Sequence, residues 1–156
     1  MGTHYQGSKT EINALNTFIK FVRAAESINS RLNARLVKEG LTVSQFGILE
    51  ALLHLGPLCQ KELADKILKS GGNITMVIDN LEKQGFVKRE RGEKDRRLFT
   101  IHLTAEGRNL IERVFPGHVK AIVDEMNVLS EVEQIELQRM SKIIGMKNLQ
   151  NNIVEK

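Results

Sequence analysis

The sequence predicts a mainly α fold carrying one small β-hairpin, on three observations. Apolar residues recur at three- and four-residue steps over most of the chain, capping residues and glycines cut those stripes into separate helices, and only the stretch from Phe86 to Leu103 switches to a period of two. At 156 residues with 41% apolar content, the chain is one ordinary domain or one compact module with added helices, and it has the material for a core.

The first helix is marked by Ile12, Leu15, Phe18, Ile19, Val22, Ala25, Ile28, Leu32 and Leu36, a single stripe running to about Lys38. At 1.5 Å per residue this is a rod of roughly 40 Å, longer than a domain of this size needs for its own core, so part of the stripe is expected to face another chain. Gly40 ends it. Thr42-Val43-Ser44-Gln45 then forms a capping box, flanked by Leu41 and Phe46 as a hydrophobic staple. The second helix starts at Val43, turns Phe46, Ile48, Leu49, Leu52 and Leu53 inward, and stops at Gly56-Pro57.

A third helix begins near Gln60, with Leu63, Ala64 and Ile67 on one side and Cys59 at a position usually held by Ser, Thr or Asp. Ser70 caps a fourth, over 71–84, whose first turn holds Gly71 and Gly72. Ile74, Val77, Ile78 and Leu81 form its inner stripe, leaving Asn73, Thr75, Met76, Asp79, Asn80 and Lys83 outside, and Gly85 terminates it. Phe86 to Arg91 and Phe99, Ile101, Leu103 then make a hairpin with a charged tip. Thr104 caps a fifth helix that Pro116-Gly117 is expected to bend or loosen, and Ser130-Glu131-Val132-Glu133 is the capping box of a sixth. Residues 147–156 read as a fraying tail.

Helix, turn, helix and hairpin in this order is the winged variant of the helix-turn-helix. In the parent motif the second helix enters the major groove while its partner crosses the backbone. The fold class is therefore mainly α with a small β-hairpin wing: a winged helix-turn-helix flanked by N- and C-terminal dimerisation helices. The expected division is 1–41 for the first dimerisation helix, 42–104 for the DNA-binding lobe and 105–156 for the C-terminal dimerisation helices.

Charge placement agrees. With 23 Lys and Arg against 19 Asp and Glu the net charge is only +4, so a nucleic-acid reading rests on where the charges sit. Residues 88–97, KRERGEKDRR, hold six basic and three acidic side chains, whereas 124–136 is acidic. The outer residues of the fourth helix are types that pair with base edges or phosphates, and Lys94, Arg96 and Arg97 at the hairpin tip are placed to reach a neighbouring minor groove.

Other functions find less support. There is no phosphate-binding glycine loop, nucleophile elbow or His-Glu-x-x-His run, so no catalytic residue, cofactor or metal is expected, and His4, His54, His102 and His118 are scattered. With no tryptophan and one tyrosine, a stacking platform for single-stranded bases is not expected. The single Cys59 excludes an internal disulfide framework, and the lack of a long apolar run points to a soluble, intracellular protein. Two alternatives stay open: winged helices also serve as protein–protein modules, and a thiol at a helix N-terminus, as at Cys59, can serve a redox-sensing regulator.

The run DRRLFTIHLT from Asp95 to Thr104 resembles the wing signature of the MarR (multiple antibiotic resistance regulator) family, Asp-x-Arg, five residues, then Leu-Thr, filled here by Asp95, Arg97, Leu103 and Thr104. QKELADKILKSGGNITMVIDNLEKQGFVKRER is similar to that family's helix-turn-helix, and the likeness extends over the long first and last helices. The resemblance implies a cytoplasmic bacterial or archaeal transcription regulator, a ligand-responsive repressor that binds a pseudo-palindromic double-stranded DNA operator as a homodimer with interleaved terminal helices. It also implies Arg97 in the minor groove, Asp95 holding the wing, and Ser70, Asn73, Thr75, Met76 and Asn80 on the recognition helix. The sequence departs from the pattern at Met76, where many members carry Arg, and at Gly71-Gly72, which replace bulkier polar residues. The full set expected at DNA is Gln60, Lys61, Ser70, Gly71, Asn73, Thr75, Met76, Asn80, Lys83, Lys88, Arg89, Arg91, Lys94, Asp95, Arg96 and Arg97. A small aromatic or phenolic effector is what the family suggests, with Phe18, Val22 and Phe115 as pocket residues by position.

Overall fold

A computed structural model of the chain describes residues 2–67, 71–91 and 99–146, with the backbone alone at 71–73. The chain forms two compact units, Met1–Val119 and Lys120–Lys156. The first contains α1 (Lys9–Lys38), α2 (Val43–Leu55), β1 (Leu58–Cys59), α3 (Gln60–Lys66), α4 (Gly71–Lys83), β2 (Val87–Arg91) and β3 (Phe99–Leu103). Helix α5 (Ala105–Met126) begins in the first unit and ends in the second, which also holds α6 (Glu131–Gly145).

Local chemistry sets most of these boundaries. The first helix starts at Lys9, three residues before its first apolar position, because Ser8 and Glu11 make a capping box. The Glu11 amide donates to Ser8 Oγ at 3.3 Å, and the Ser8 amide donates to Glu11 Oε2 at 2.8 Å. Thr42 and Gln45 cap α2 in the predicted way, and Leu41 and Phe46 on either side are both buried. Gly40, Gly56 and Gly85 take the positive φ that ends a helix cheaply. After α1 and after α4 the closing bonds are those of a Schellman motif: Leu41 N–H to the Leu36 carbonyl and Phe86 N–H to that of Leu81, at 3.0 and 2.9 Å.

The sheet is larger than the predicted hairpin. Its three antiparallel strands run in the order β1-β3-β2, with Leu58 opposite Ile101 and Cys59 opposite Thr100. A two-residue strand is too short to show a period of two, so β1 leaves no pattern in the sequence. Helix α5 continues through Pro116, which can donate no N–H to the ladder.

The core of the first unit lies between the helices and one face of the sheet. Ile48, Leu49 and Leu52 of α2, Leu63 of α3, Ile74, Ile78 and Leu81 of α4, Val87 and Ile101 of the strands, and Ile111 and Val114 of α5 are all buried. The N-terminus of α5 comes unusually close to the end of α4. Thr104 Oγ1 donates to the Gly85 carbonyl at 2.6 Å and accepts from Gly107 N–H at 3.0 Å, while Thr104 N–H donates to the Phe86 carbonyl at 3.1 Å. A Cβ on Gly107 would stand 1.9 Å from that same carbonyl oxygen, so this approach requires glycine.

The long stripe of α1 is mostly half-buried, with Leu15 and Phe18 exposed. Leu36 alone of its members is buried, and Phe18 is 65% exposed. Helix α6 has no buried residue, and Val132, Ile135, Ile143 and Ile144 all stand exposed. No helix among the described residues is long and apolar enough to cross a membrane.

Candidate nucleic-acid interface

Helix α4 presents two faces. Because Ile74, Ile78 and Leu81 enter the core, Met76, Asn80 and Lys83 must point outward, and Thr75 and Asp79 lie at the flank. Met76 is 59% exposed. An asparagine amide can pair with an adenine edge and a lysine with a phosphate. At the start of α3, Gln60 Nε2 donates to Thr75 Oγ1, which joins the two helices, and Lys61 beside it is exposed. Helix α3 is capped through Glu62, whose carboxylate accepts the Cys59 N–H at 2.7 Å. That bond holds the Glu62 pKa below the usual carboxylate value. Cys59 itself is half-buried, at the expected N-cap position of α3.

The two sheet faces carry different charge arrangements. Val87, Arg89 and Arg91 stand opposite Leu103, Ile101 and Phe99, and since Val87 and Ile101 are buried, Arg89 belongs to the inward face. Its guanidinium pairs with Asp79 and Glu82 of α4, and its backbone N–H donates to Glu82 Oε1 at 3.0 Å. Burial alone would lower the Arg89 pKa; the hydrogen bonds and charges of Asp79 and Glu82 outweigh it and raise the value. Arg91 lies over the Phe99 ring at 5.8 Å. On the other face Lys88 Nζ is 2.5 Å from Glu90 Oε1, and His102 Nε2 is 3.4 Å from Glu90 Oε2 and 2.9 Å from Thr100 Oγ1. The Lys88 hydrogen bond is the main reason the Glu90 pKa is lowered.

The structure thus brings Gln60, Lys61, Thr75, Met76, Asn80 and Lys83 onto α3 and α4, and Lys88, Arg89 and Arg91 onto β2 beside them. Gly71 and Asn73 lie in the first turn of α4, of which the backbone alone is described. Ser70, Lys94, Asp95, Arg96 and Arg97 fall outside the described residues. The partners of Arg89 went unrecognised in the sequence, although its period-two spacing from Val87 places it on the buried side of the strand.

A second concavity lies away from this surface. A cleft of about 190 Å³ is lined by Arg35, Leu36 and Lys38 of α1, its C-cap Glu39, and Val114, Gly117 and His118 of α5. The His118 ring lies 4.3 Å from that of Phe46, which stacks on Phe115 at 6.4 Å, and Phe115 meets His54 edge-on at 4.9 Å. His118 Nδ1 is buried with no hydrogen-bond partner. Burial holds the His118 pKa below its ordinary 6.5; the charge of Glu50 opposes this and that of Arg35 adds to it. Of the predicted pocket residues, Phe115 is half-buried in this aromatic cluster, Val22 is half-buried on α1, and Phe18 points away from cover. No group of His, Cys, Asp or Glu among the described residues could hold a metal ion.

Residues 41–99 match the sequence model of the MarR family. The chain is also 36% identical over 133 residues to the HTH-type transcriptional regulator MhqR of Bacillus subtilis, covering 85% of this chain and 92% of that one. The chain belongs to the MarR family. As a MarR protein it is a winged helix-turn-helix, DNA-binding transcriptional regulator and not an enzyme. The fold agrees. Sco3205 of Streptomyces coelicolor, a MarR family regulator solved in complex with DNA, superimposes with a TM-score of 0.82 at 24% identity, covering 94% of this chain and 92% of that one. Bordetella bronchiseptica BpsR, whose DNA binding is regulated by 6-hydroxynicotinic acid, gives a TM-score of 0.76 at 18% identity, with 93% and 98% covered.

Proposed function

We propose that this MarR protein is a ligand-responsive repressor that binds a pseudo-palindromic operator as a homodimer, one winged lobe to each half-site. The observation that carries the reading is the outward row of α4: Met76, Asn80 and Lys83 are exposed on a helix whose opposite side is anchored in the core, with Gln60 and Lys61 at one flank and the charged strand β2 at the other. Such a helix presents its side chains to a major groove, and the wing that follows reaches the adjacent backbone. Residues 42–104 are the reading lobe in this account, and 1–41 and 105–156 supply the dimerisation helices. The half-covered apolar stripe of α1 and the exposed apolar side chains of α6 are surfaces that a second copy would bury.

The effector in this reading is a small aromatic acid, a chemistry represented among relatives by the 6-hydroxynicotinic acid that regulates BpsR. An engineered cavity of about 150 Å³ holds benzene, so the cleft beside His118 is of a size for one ring, and Arg35 and Lys38 at its edge offer partners for a carboxylate. Binding there would favour one lobe arrangement over another and shift the population away from the DNA-bound form.

The test is a titration of a palindromic duplex at increasing salt. If several phosphates are neutralised, log K falls linearly with log salt at a slope of several units, and Arg97→Ala weakens binding by about 1 to 3 kcal/mol. A salt-insensitive interaction would point instead to a protein-binding winged helix.

A further inference from the structure

We propose that Arg89 is a positioning residue for DNA reading: by bridging Asp79 and Glu82 it locks β2 onto the flank of α4, so that this helix and this strand meet a duplex as one rigid body. The proposal rests on α4 and the wing being the reading surfaces. Its ground is the placement of a guanidinium on the inward face of a strand, between Val87 and Arg91 and opposite Ile101, with the Arg89 side chain only 23% exposed. A charge at such a position is costly unless it is paired.

Here the guanidinium pairs with two carboxylates of one helix. The planar fork of arginine reaches two carboxylates at once, and Asp79 and Glu82 are three residues apart on α4, which puts them side by side. Glu82 also accepts the Arg89 backbone N–H, so it holds both main chain and side chain of the same residue. Three bonds therefore cross from one strand residue to the helix. A lysine, with a single compact ammonium group, could not satisfy that geometry.

The bridge also argues against a phosphate contact by Arg89. A phosphate would have to compete with two carboxylates for the same guanidinium. Asp79 and Glu82, in turn, adjoin the outward row of Met76, Asn80 and Lys83, where bare carboxylates would repel the nucleic-acid backbone. Arg89 cancels one of the two charges and spreads the other over the bridge, and it ties β2 to α4.

The experiment compares two duplexes: one selected from a random-sequence pool by the unmodified protein, and a scrambled duplex of the same composition. Arg89→Lys and, separately, Glu82→Gln are expected to lower affinity for the selected duplex about tenfold, within the range for coupled neighbours. Affinity for the scrambled duplex and its salt slope should stay unchanged, and the double variant should lose little more than either single one. If Arg89 were instead a phosphate contact, Arg89→Lys would leave the salt slope intact but Arg89→Ala would reduce it by about one unit. Glu82→Gln would then free the guanidinium and tighten binding to both duplexes. Either result overturns the proposal. So does a lower melting temperature with unchanged affinity of the folded protein, which would make the bridge a matter of stability alone. If the unmodified protein retains no duplex from the pool, the DNA reading itself fails, and the proposal with it.

Discussion

Gly107→Ala isolates the close backbone approach between α5 and the segment after α4. A methyl group there would meet the Phe86 carbonyl oxygen at 1.9 Å, whereas ordinary contact begins at 3.4 Å, so α5 and the segment after α4 must separate by about 1.5 Å. That displacement takes the Thr104 N–H bond to Phe86, now 3.1 Å, beyond hydrogen-bonding range, and stretches the 2.6 Å bond from Thr104 Oγ1 to Gly85. Two lost bonds cost about 2 kcal/mol together, and overpacking a buried site adds about 1 to 3 kcal/mol. The better helix propensity of alanine returns about 1 kcal/mol. The net loss is roughly 2 to 4 kcal/mol, or a melting temperature lower by roughly 5 to 15 °C for a chain of this size. Gly117→Ala on the same helix is the control: a Cβ there meets nothing within 4 Å, so propensity alone should act and raise stability by up to about 1 kcal/mol. Differential scanning calorimetry reads both. A Gly107→Ala protein as stable as its parent would refute the reasoning.

Cys59→Ser should stabilise the fold by up to about 1 kcal/mol, since the backbone at φ −77° and ψ 163° suits an N-cap and serine supplies the better acceptor for the end of α3; a lower melting temperature would mean that thiol packing outweighs the cap. Thr42→Ala, which removes one half of the capping box on α2, should cost about 1 kcal/mol in chemical denaturation, with no change in the slope against denaturant. His118 gives a pH dependence of known sign. Its folded pKa is depressed, so its contribution to stability is present above 6.5 and is lost as pH falls below that value toward the folded one, because the unfolded chain takes up the proton first. Melting curves at about pH 7.5 and about pH 5.5 should show a larger drop for the parent than for His118→Gln; equal drops would show that His118 is not the group responsible.

Much of this was legible in the sequence because it depends on neighbours along the chain. The capping boxes at Thr42 and Ser130, the helix-ending glycines 40, 56 and 85, and the inner stripe of α4 are each set within a few residues, and each was read correctly. Features that depend on distant partners were not. Strand β1 exists because Leu58 and Cys59 find Ile101 and Thr100 some forty residues on. The need for glycine at 107 comes from Phe86. The Ser8-Lys9-Thr10-Glu11 box was overlooked for a different reason: it lies ahead of the first apolar residue, where a stripe gives no signal. In the candidate site, the outward row of α4 followed from periodicity, while the role of Arg89 required knowing that Asp79 and Glu82 lie across from it.

The central claim, that two winged lobes read one duplex at matched positions, is tested most directly by spacing. Half-sites separated by about one helical turn present successive major grooves to a symmetric pair of recognition helices, and inserting about five base pairs turns one of them to the opposite side of the duplex. Sedimentation of the protein with the two duplexes should give two chains on the first and a collapse of affinity to that of a lone half-site on the second. Equal affinity for both, or a single chain per duplex, would contradict the account.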